Sequence, residues 1–264
     1  MSTNAGEMLS SEKHAQTIRL ELPANGQPIT FFLKRNPRVN SRKSWRTLLR
    51  FKRPHSDAYR EMLLVRNLEN SGVPVMRILA WGEERRFGLP ERGFILSEGV
   101  SGQPLHELFL AGDAVARRRI AAAFGRFVAR LHAAGFFQIV RLKDLIASVP
   151  DSSTTQTLPL TLIDRAACKT GKKLFWSGFC LRSLRRGFRR MKRDGIIFNT
   201  ELEQTFAAAY AEVIGKKWKI SPRELSAKIK SIDTVQGRTA AQTVANLAVS
   251  GLWNVDEINR WIAF

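Results

Sequence analysis

The chain has 264 residues, and its 44% hydrophobic content is enough to build one large or two smaller domains with a buried core. Two cysteines are too few for a disulfide framework, and the four scattered histidines show no zinc-site spacing. The sequence has no run of about 18 apolar residues and no secretory-type apolar stretch at its start, so we expect a cytoplasmic protein.

The net charge of +20 is concentrated in two blocks of the sequence. Residues 34 to 53 hold nine Lys and Arg residues and residues 165 to 193 hold eleven, and neither block contains an acid. Such a charge distribution attracts anionic partners, which include nucleic acid, acidic lipid head groups and phosphorylated substrates. Charge alone does not choose among these classes.

The first predicted elements are two antiparallel strands in residues 16 to 36. Apolar and polar residues alternate on both sides of Asn25-Gly26, which is the strongest short hairpin signal in a sequence. The second strand is predicted to end near Lys34. The chain then becomes basic and partly helical in residues 37 to 55, where four residues are interpreted as apolar anchors, namely Trp45, Leu48, Leu49 and Phe51.

Residues 56 to 72 predict a helix with a Ser or Asp N-cap and a closing Gly72. Two further strands and a long Ala-rich helix follow. An apolar strand then ends on an acid, and the remaining segments have a helical pattern. In chain order the predicted segments are strands in 73–84 and 93–105, a helix from about 113 to 134, a strand in 157–166, and helices at 200–214, 222–231, 238–250 and 255–263.

Strands that come first and helices that come later indicate an α+β fold with two lobes and a boundary near residues 99 to 104. This order also matches what phosphoryl transfer requires: a Lys that clamps phosphates, an acid that positions that Lys, and a carboxylate that holds a metal ion. Lys34 ends a strand, Glu61 lies 27 residues later in the capped helix, and Asp164 ends the strand LTLID. We therefore predict a Lys34–Glu61 ion pair and a magnesium ligand at Asp164.

Several segments together, in this order and spacing, resemble the lipopolysaccharide core kinase (Kdo/WaaP) family. They are FFLKR, then RKSWRTLLRFKRPHSDAYREMLLVRNLENSGVPVMRILAWGEE, FILSEGVSGQPL, FVARLHAAGFF and LTLID, and the similarity extends over about residues 28 to 215. The resemblance implies a two-lobed, protein-kinase-like fold that binds ATP and Mg²⁺ between its lobes and uses a sugar of a nascent lipopolysaccharide as acceptor. The expected divisions are a flexible N-terminus in 1–15, an N-lobe in 16–99, a C-lobe in 100–231 and a C-terminal helical extension in 232–264.

The catalytic loop departs from the family pattern. Counting without gaps from Leu131-His132 places Val140 at the catalytic Asp and Leu145 at the metal-binding position, and neither side chain can do that chemistry. A shifted register makes Asp144 the general base, 20 residues before Asp164. That register requires a four-residue insertion and leaves Val149 at the metal position.

The nucleotide side of the predicted site is also incomplete. Kinases cover the phosphates with a Gly-rich loop between their first two strands, whereas the chain before Lys34 contains only the isolated Gly6 and Gly26. Glu98, at the lobe boundary, is the position whose backbone groups would face an adenine.

The second basic block mixes aromatic residues with cations over residues 168 to 195. Arginines recur in it at spacings of three and four, which predicts a helix with a cationic face beside an apolar one. Such a helix suits either an anionic membrane surface or packing on the C-lobe with a solvated basic face. Aromatic stacking on nucleic acid bases is the less favoured third interpretation.

Three functions therefore stay open. The first is a kinase-like protein with degraded catalytic machinery, which acts at the inner face of the cytoplasmic membrane, on a lipopolysaccharide precursor or on a protein partner. The second is an active sugar or protein kinase that uses Asp164 for magnesium and Asp144 as the base. The third is a basic nucleic-acid-binding protein.

Overall fold

A computed structural model describes residues 6–12, 15–24, 27–37, 39, 41–49, 51–148, 158–163 and 176–218. Asn25-Gly26, Val149, Asp164 and the helices predicted beyond residue 218 lie outside these residues. The described residues form β1 (Glu7–Glu12), β2 (Ala15–Ala24), β3 (Gln27–Asn36), α1 (Ser41–Leu48), α2 (Asp57–Asn70), β4 (Ile78–Arg86), β5 (Leu89–Glu98), β6 (Gln103–Pro104), α3 (Leu105–Ala111), α4 (Ala114–Ala133), a 3₁₀ turn (Leu142–Asp144), β7 (Leu145–Ala147), β8 (Leu160–Leu162), α5 (Trp176–Arg193) and α6 (Thr200–Trp218).

In the N-terminal lobe, the described strands pair into an antiparallel sheet of order β1-β2-β3-β5-β4. β2 and β3 pair along their whole length from Gln16↔Arg35 to Ala24↔Gln27, which confirms the predicted hairpin. Residues 7–12, expected to belong to a flexible N-terminus, instead form the edge strand β1. Their side chains are mostly exposed, so a buried-face alternation could not have predicted this strand.

Helix α2 packs on this sheet and confirms the predicted capped helix. The Ser56 side chain accepts a hydrogen bond from the Tyr59 amide at the N-terminus, and Gly72 follows the helix with φ of 70°. The buried face is apolar and comprises Ala58, Met62, Leu64, Val65 and Leu68. Capping residues therefore determine where the helix begins and ends, and the burial of its apolar side chains determines which face packs on the sheet.

Residues 99–102 connect the N-lobe sheet to a small antiparallel sheet of order β6-β7-β8. Gly102 has φ of 135°, and a Cβ there would collide with the carbonyl oxygen of Ala147. The short helix α3, which the sequence pattern did not predict, follows β6 directly. This connection lies where the lobe boundary was expected.

The C-terminal lobe is built around α4, whose buried side faces α6. Asp113 caps α4 by accepting a hydrogen bond from the Ala116 amide at 2.7 Å. At Gly125 the two helices approach so closely that an added Cβ would lie 2.5 Å from the carbonyl oxygen of Phe206. None of the helices in the part of the chain described is long and apolar enough to cross a membrane.

Helix α5, from the second basic block, packs its apolar side on this lobe. Cys180, Leu181, Leu184 and Met191 are buried, and Phe188 packs against the core. Arginines of the same helix, Arg182, Arg186, Arg189 and Arg190 among them, are exposed. The apolar face is therefore occupied by protein, as one of the two interpretations of this helix predicts.

Helix α1 differs from its expected role. The side chains interpreted as apolar anchors are largely exposed: Trp45 at 59%, Leu48 at 37%, Leu49 at 78% and Phe51 at 101%. The buried residue of this segment is Ser44, at 4% exposure. The prediction that these apolar residues anchor the segment to the core is therefore wrong, because these four side chains are exposed to solvent while Ser44 of the same helix is buried.

Candidate functional site

The predicted partners Lys34 and Glu61 lie together in the N-lobe. Lys34 lies on β3, flanked by Thr17 of β2 and Ile95 of β5, and its Nζ donates to Glu61 Oε1 at 3.1 Å and Oε2 at 2.9 Å. The side chains are 30% and 9% exposed. The strand and the helix thus form the ion pair that the spacing predicted, and a Lys held in this way can face a phosphate.

The turn between the first two strands carries no glycine. β1 ends at Glu12 and β2 begins at Ala15, and the two residues between them in the sequence are Lys13 and His14. A glycine-rich phosphate loop works by letting the backbone approach the phosphates closely. The sequence between these strands does not supply that feature.

The segment after α4 is fixed in place by its backbone. Gly135, with φ of 86°, ends the helix, and the Phe136 amide donates to the carbonyl of Leu131 at 3.0 Å, so the chain leaves through a left-handed cap. Gln138 is buried at 3%, and its backbone carbonyl accepts a hydrogen bond from the Ser183 hydroxyl of α5. Val140 is buried at 4%. These residues pack the loop and offer no proton acceptor.

Asp144 is the one acidic residue of the sequence between Ala134 and Ser148. Its carboxylate is held by Arg141: Nη2 donates to Oδ1 at 2.8 Å, and Nε lies 3.2 Å from both oxygens. The Arg141 amide also donates to Oδ2 at 2.8 Å. The side chain is 5% exposed, so the carboxylate is engaged by the residue three positions before it and is nearly closed to solvent.

The role of Arg141 was missed from the sequence, although its spacing from Asp144 is that of a capping box. The guanidinium also lies 3.8 Å from Asp194, which pairs with Lys143 at 3.2 Å. The pair thereby ties the loop to the C-terminal end of α5. A short charged network, rather than an isolated acid, occupies this place.

Strands β7 and β8 show that the segment after α4 ends at Asp144. β7 begins directly after Asp144, and Leu145, the metal position in the register without gaps, is fully buried opposite Leu162 of β8. The Asp144 carbonyl accepts a hydrogen bond from the Ile163 amide at 3.0 Å. Asp164, the next residue, lies outside the described residues, so its predicted role as a metal ligand stays a prediction.

His132, near the end of α4, belongs to the core of the C-lobe. Its Nδ1 and the Tyr210 hydroxyl of α6 share a hydrogen bond of 2.8 Å, and its side chain is fully buried. Burial lowers the pKa of His132 to about 3, so the ring is neutral near pH 7. Burial also raises the pKa of the neighbouring Cys180 thiol and of Tyr210. These three groups form a neutral structural network rather than an acid–base site.

Glu98 ends β5 at the connection between the lobes. Its amide donates to the Arg77 carbonyl at 3.0 Å, and the Arg77 guanidinium lies 3.7 Å from its carboxylate. The Gly99 amide donates to the carbonyl of Thr30 at 2.8 Å. Two successive amides are thus used within the lobe, and the predicted contact of Glu98 with an adenine stays a prediction.

The described residues fit ATP and Mg²⁺ unequally. The Lys34–Glu61 pair suits a nucleotide phosphate, whereas Asp144, whose carboxylate Arg141 already holds, does not suit a metal ion. Across the ranges described, no group of three or more His, Cys, Asp or Glu side chains is arranged to hold a metal. The described ranges therefore lack such a cluster, and the predicted role of Asp164 as a magnesium ligand lies outside them.

Comparison with known proteins agrees with this architecture. A structure of WaaP in complex with acyl carrier protein superposes with a TM-score of 0.56 at 16% identity, covering 88% of this chain and 89% of that one, which shows the two-lobed kinase-like fold. The bifunctional kinase-methyltransferase WbdD is less similar, with a TM-score of 0.46, 15% identity and coverage of 91% of this chain and 48% of that one. None of the curated proteins compared with the chain matches it.

The family model gives the stronger result. The model of the lipopolysaccharide kinase (Kdo/WaaP) family matches residues 37–191, which is more than half of the 264 residues. The match includes α2 with Glu61, the segment after α4 with Asp144, and α5 up to Met191. The chain belongs to the lipopolysaccharide kinase (Kdo/WaaP) family.

Proposed function

We propose that this protein is a catalytically impaired member of its family that works by binding at the inner face of the cytoplasmic membrane rather than by transferring phosphate. The observation that carries the proposal is the closed pair of Arg141 and Asp144. A general base must accept the proton of the acceptor hydroxyl, and it must lie within hydrogen-bond reach of that hydroxyl. The Asp144 oxygens already accept hydrogen bonds from the side chain and the amide of Arg141.

The rest of the loop supports the same conclusion. Gln138, Ile139 and Val140 have no titratable group, and His132 is buried against Tyr210 with its pKa lowered to about 3. The described residues around the loop thus provide packing instead of acid–base chemistry. The ion pair of Lys34 and Glu61 keeps the nucleotide side partly suited to ATP. We therefore expect weak nucleotide binding without efficient transfer.

A phosphotransfer assay tests the impairment directly. Purified protein with labelled ATP and Mg²⁺ is offered lipopolysaccharide precursor and a protein substrate, alongside Asp144→Asn and Asp164→Ala variants. We expect transfer at the background level in all three proteins. Transfer by the wild type that Asp144→Asn abolishes would instead establish the alternative, an active kinase that uses Asp144 as its base.

Nucleotide binding is measured separately by thermal shift, with and without Mg²⁺. Any ATP-dependent rise in the melting temperature is expected to disappear in Lys34→Met, because the phosphate clamp is lost. A rise that requires Mg²⁺ and disappears in Asp164→Ala would show that Asp164 binds metal. Lys192→Met on α5 is the matched control for loss of one lysine, and it should leave the ATP response unchanged.

The proposed partners are an anionic membrane surface with its lipopolysaccharide precursor, and a protein. The net charge of +20 favours anionic partners. The solved WaaP structure contains an acyl carrier protein, which makes that protein a defined candidate to test here by titration calorimetry. Saturable binding would support a protein partner. If the heat of binding does not saturate and disappears at moderate salt, the interaction with acyl carrier protein is non-specific charge attraction.

A further inference from the structure

Helix α1 exposes its apolar side chains, whereas a helix that packs on a core buries them. Trp45, Leu48 and Leu49 lie at spacings of three and four, so they share one face, and that face is exposed. Among the side chains of α1 that the structure describes, Ser44 is buried, at 4% exposure. The apolar stripe therefore does not serve the folding of this lobe.

The end of α1 places a further apolar residue outward at a conformational cost. The Lys52 amide donates to the Thr47 carbonyl at 3.1 Å and the Phe51 amide to the Leu48 carbonyl at 2.8 Å, which is a Schellman cap. The left-handed position of this cap is normally glycine, but here it is Phe51, with φ of 54° and 101% exposure. A strained, fully exposed phenylalanine contributes nothing to the fold of the free protein.

A second exposed phenylalanine with a positive φ lies in the turn between β4 and β5. Phe87 and Gly88 both have positive φ, of 49° and 77°, which is the geometry of a type I′ turn that favours Asn-Gly. Phe87 is 92% exposed, with the Arg86 guanidinium over its ring at 5.5 Å. Arg85 donates to the carbonyls of Gly88 and of Pro54, so the Phe87 turn is linked to the chain three residues after Phe51.

Charge indicates what would cover this surface. Residues 41–53 contain six basic residues and no acid, and Lys52 and Arg53 are exposed beside Phe51. Aromatic and leucine side chains interleaved with cations are typical of segments that lie in the interface of an anionic bilayer. By contrast, the apolar side chains of α5 described from Cys180 onward are buried, and the arginines described as exposed form its basic face.

We propose that the exposed side chains at α1 and its C-terminal cap, together with the Phe87 turn, form the surface by which this protein contacts an anionic lipid membrane. These side chains are Trp45, Leu48, Leu49, Phe51, Lys52 and Arg53. The apolar side chains enter the acyl boundary while the basic residues meet the lipid phosphates. The inference rests on the membrane action proposed above and assigns it to the N-lobe. It requires neither ATP nor a working catalytic loop.

Vesicle binding by the full chain tests the surface. Phosphatidylglycerol–phosphatidylethanolamine vesicles are compared with phosphatidylcholine vesicles by co-sedimentation at low and high salt. Wild type is expected to bind the anionic vesicles, and Phe51→Gly and Phe87→Asn are each expected to weaken binding about tenfold. Both substitutions place the favoured residue at a positive φ, so their melting temperatures should stay equal or rise. Val115→Gln, which removes an exposed apolar side chain from α4, should leave binding unchanged.

A matched pair of charge variants tests the cationic part. Lys52→Gln, Arg53→Gln and Arg86→Gln combined should weaken binding about a hundredfold. Combined Arg182→Gln, Arg186→Gln and Arg189→Gln on α5, with the same loss of charge, should have a much smaller effect. An equal or larger effect of the α5 variant would overturn the assignment, as would unchanged binding by both phenylalanine variants.

The remaining outcomes separate this inference from the proposed function. If wild type binds no anionic vesicles, both the membrane surface and the membrane action of the proposed function are wrong. If wild type binds vesicles but the phenylalanine substitutions weaken only nucleic acid binding, the membrane surface alone is wrong. If wild type transfers phosphate while the variants still lose vesicle binding, the catalytic impairment is wrong and the membrane surface stands.

Discussion

At the scale of single residues, the role of Asp144 depends on which group binds its carboxylate. An acid at the start of a short strand is compatible with catalysis when its oxygens face a substrate, and with structure when they face a neighbouring cation. Here Arg141 forms a bidentate ion pair with Asp144, and the two side chains are 21% and 5% exposed, respectively. The Asp144 carboxylate in this structure therefore faces a neighbouring cation.

Arg141→Ala should destabilise the fold by about 2–3 kcal/mol, because it leaves a buried carboxylate without its main donor. Urea unfolding of Arg141→Ala, Asp144→Ala and the double variant measures the effect as a double-mutant cycle. We expect the double variant to lose less stability than the sum of the single variants by 1 kcal/mol or more, as an order of magnitude. Additive losses would show that the two side chains act independently.

His132 predicts a specific pH dependence of stability. The unfolded chain protonates this ring near its ordinary pKa of 6.5, whereas burial holds the folded value at about 3. Between these values the unfolded state binds the extra proton, so the free energy of unfolding falls as pH falls, by about 1.4 kcal/mol per unit.

Unfolding measured in urea from pH 7.5 to pH 5 gives this slope for wild type and for His132→Asn. The variant should be less stable at pH 7.5 but show a shallower decline toward pH 5, because it has no ring to protonate. Equal slopes in the two proteins would mean that His132 is accessible to protons in the folded state.

At the scale of secondary-structure elements, the helices differ in which side the rest of the protein covers. α2, α4 and α5 bury their apolar sides, and the aromatic residues Phe124, Phe188, Phe198 and Phe206 join α4, α5 and α6 in one cluster. α1 buries a serine and exposes its apolar stripe. The sequence pattern predicted α2, α4 and α5, but only the packing shows whether an apolar stripe faces inward.

Gly125 offers a test of the close α4–α6 contact. An alanine in a helix interior normally adds about 1 kcal/mol of stability over glycine. Here its Cβ would lie 2.5 Å from the Phe206 carbonyl oxygen and 3.3 Å from Ala209 Cβ, so Gly125→Ala should destabilise by about 1–3 kcal/mol. Ala122→Gly on the same helix, measured beside it by thermal unfolding, should show the ordinary propensity loss. A stabilised Gly125→Ala would contradict the close approach.

At the scale of the whole molecule, the net charge of +20 is a source of self-repulsion. The short contacts of Arg118 with Glu201 and of Lys34 with Glu61 relieve it locally, but they involve few of the 43 basic residues. A membrane or another anionic partner would relieve it over a larger area. Binding and stability should therefore respond to salt in opposite directions.

The melting temperature should rise when NaCl increases from about 0.02 M to about 0.2 M, because the Debye length falls from roughly 20 Å to below 10 Å and like charges are screened. Differential scanning calorimetry measures the change. The variant that removes Arg182, Arg186 and Arg189 should melt higher than wild type at low salt and respond less to added salt. A melting temperature that falls with salt would show that the ion pairs outweigh the repulsion.

The sequence by itself determined the features that depend on local signals. The β2–β3 hairpin follows from alternation around Asn25-Gly26, α2 from its Ser56 cap and Gly72, and the pair of Lys34 and Glu61 from a strand end followed by a capped helix. Each of these needs only neighbouring residues and a known order of elements. The family resemblance supplied that order.

Only the tertiary structure decided what the loop and α1 expose. The burial of Val140 and Leu145 and the exposure of Trp45 and Phe51 depend on which distant segments pack beside them. Burial results from contacts between residues far apart in the chain, and hydrophobic periodicity does not encode those contacts. The same apolar spacing therefore yields a core face in α5 and an exposed face in α1.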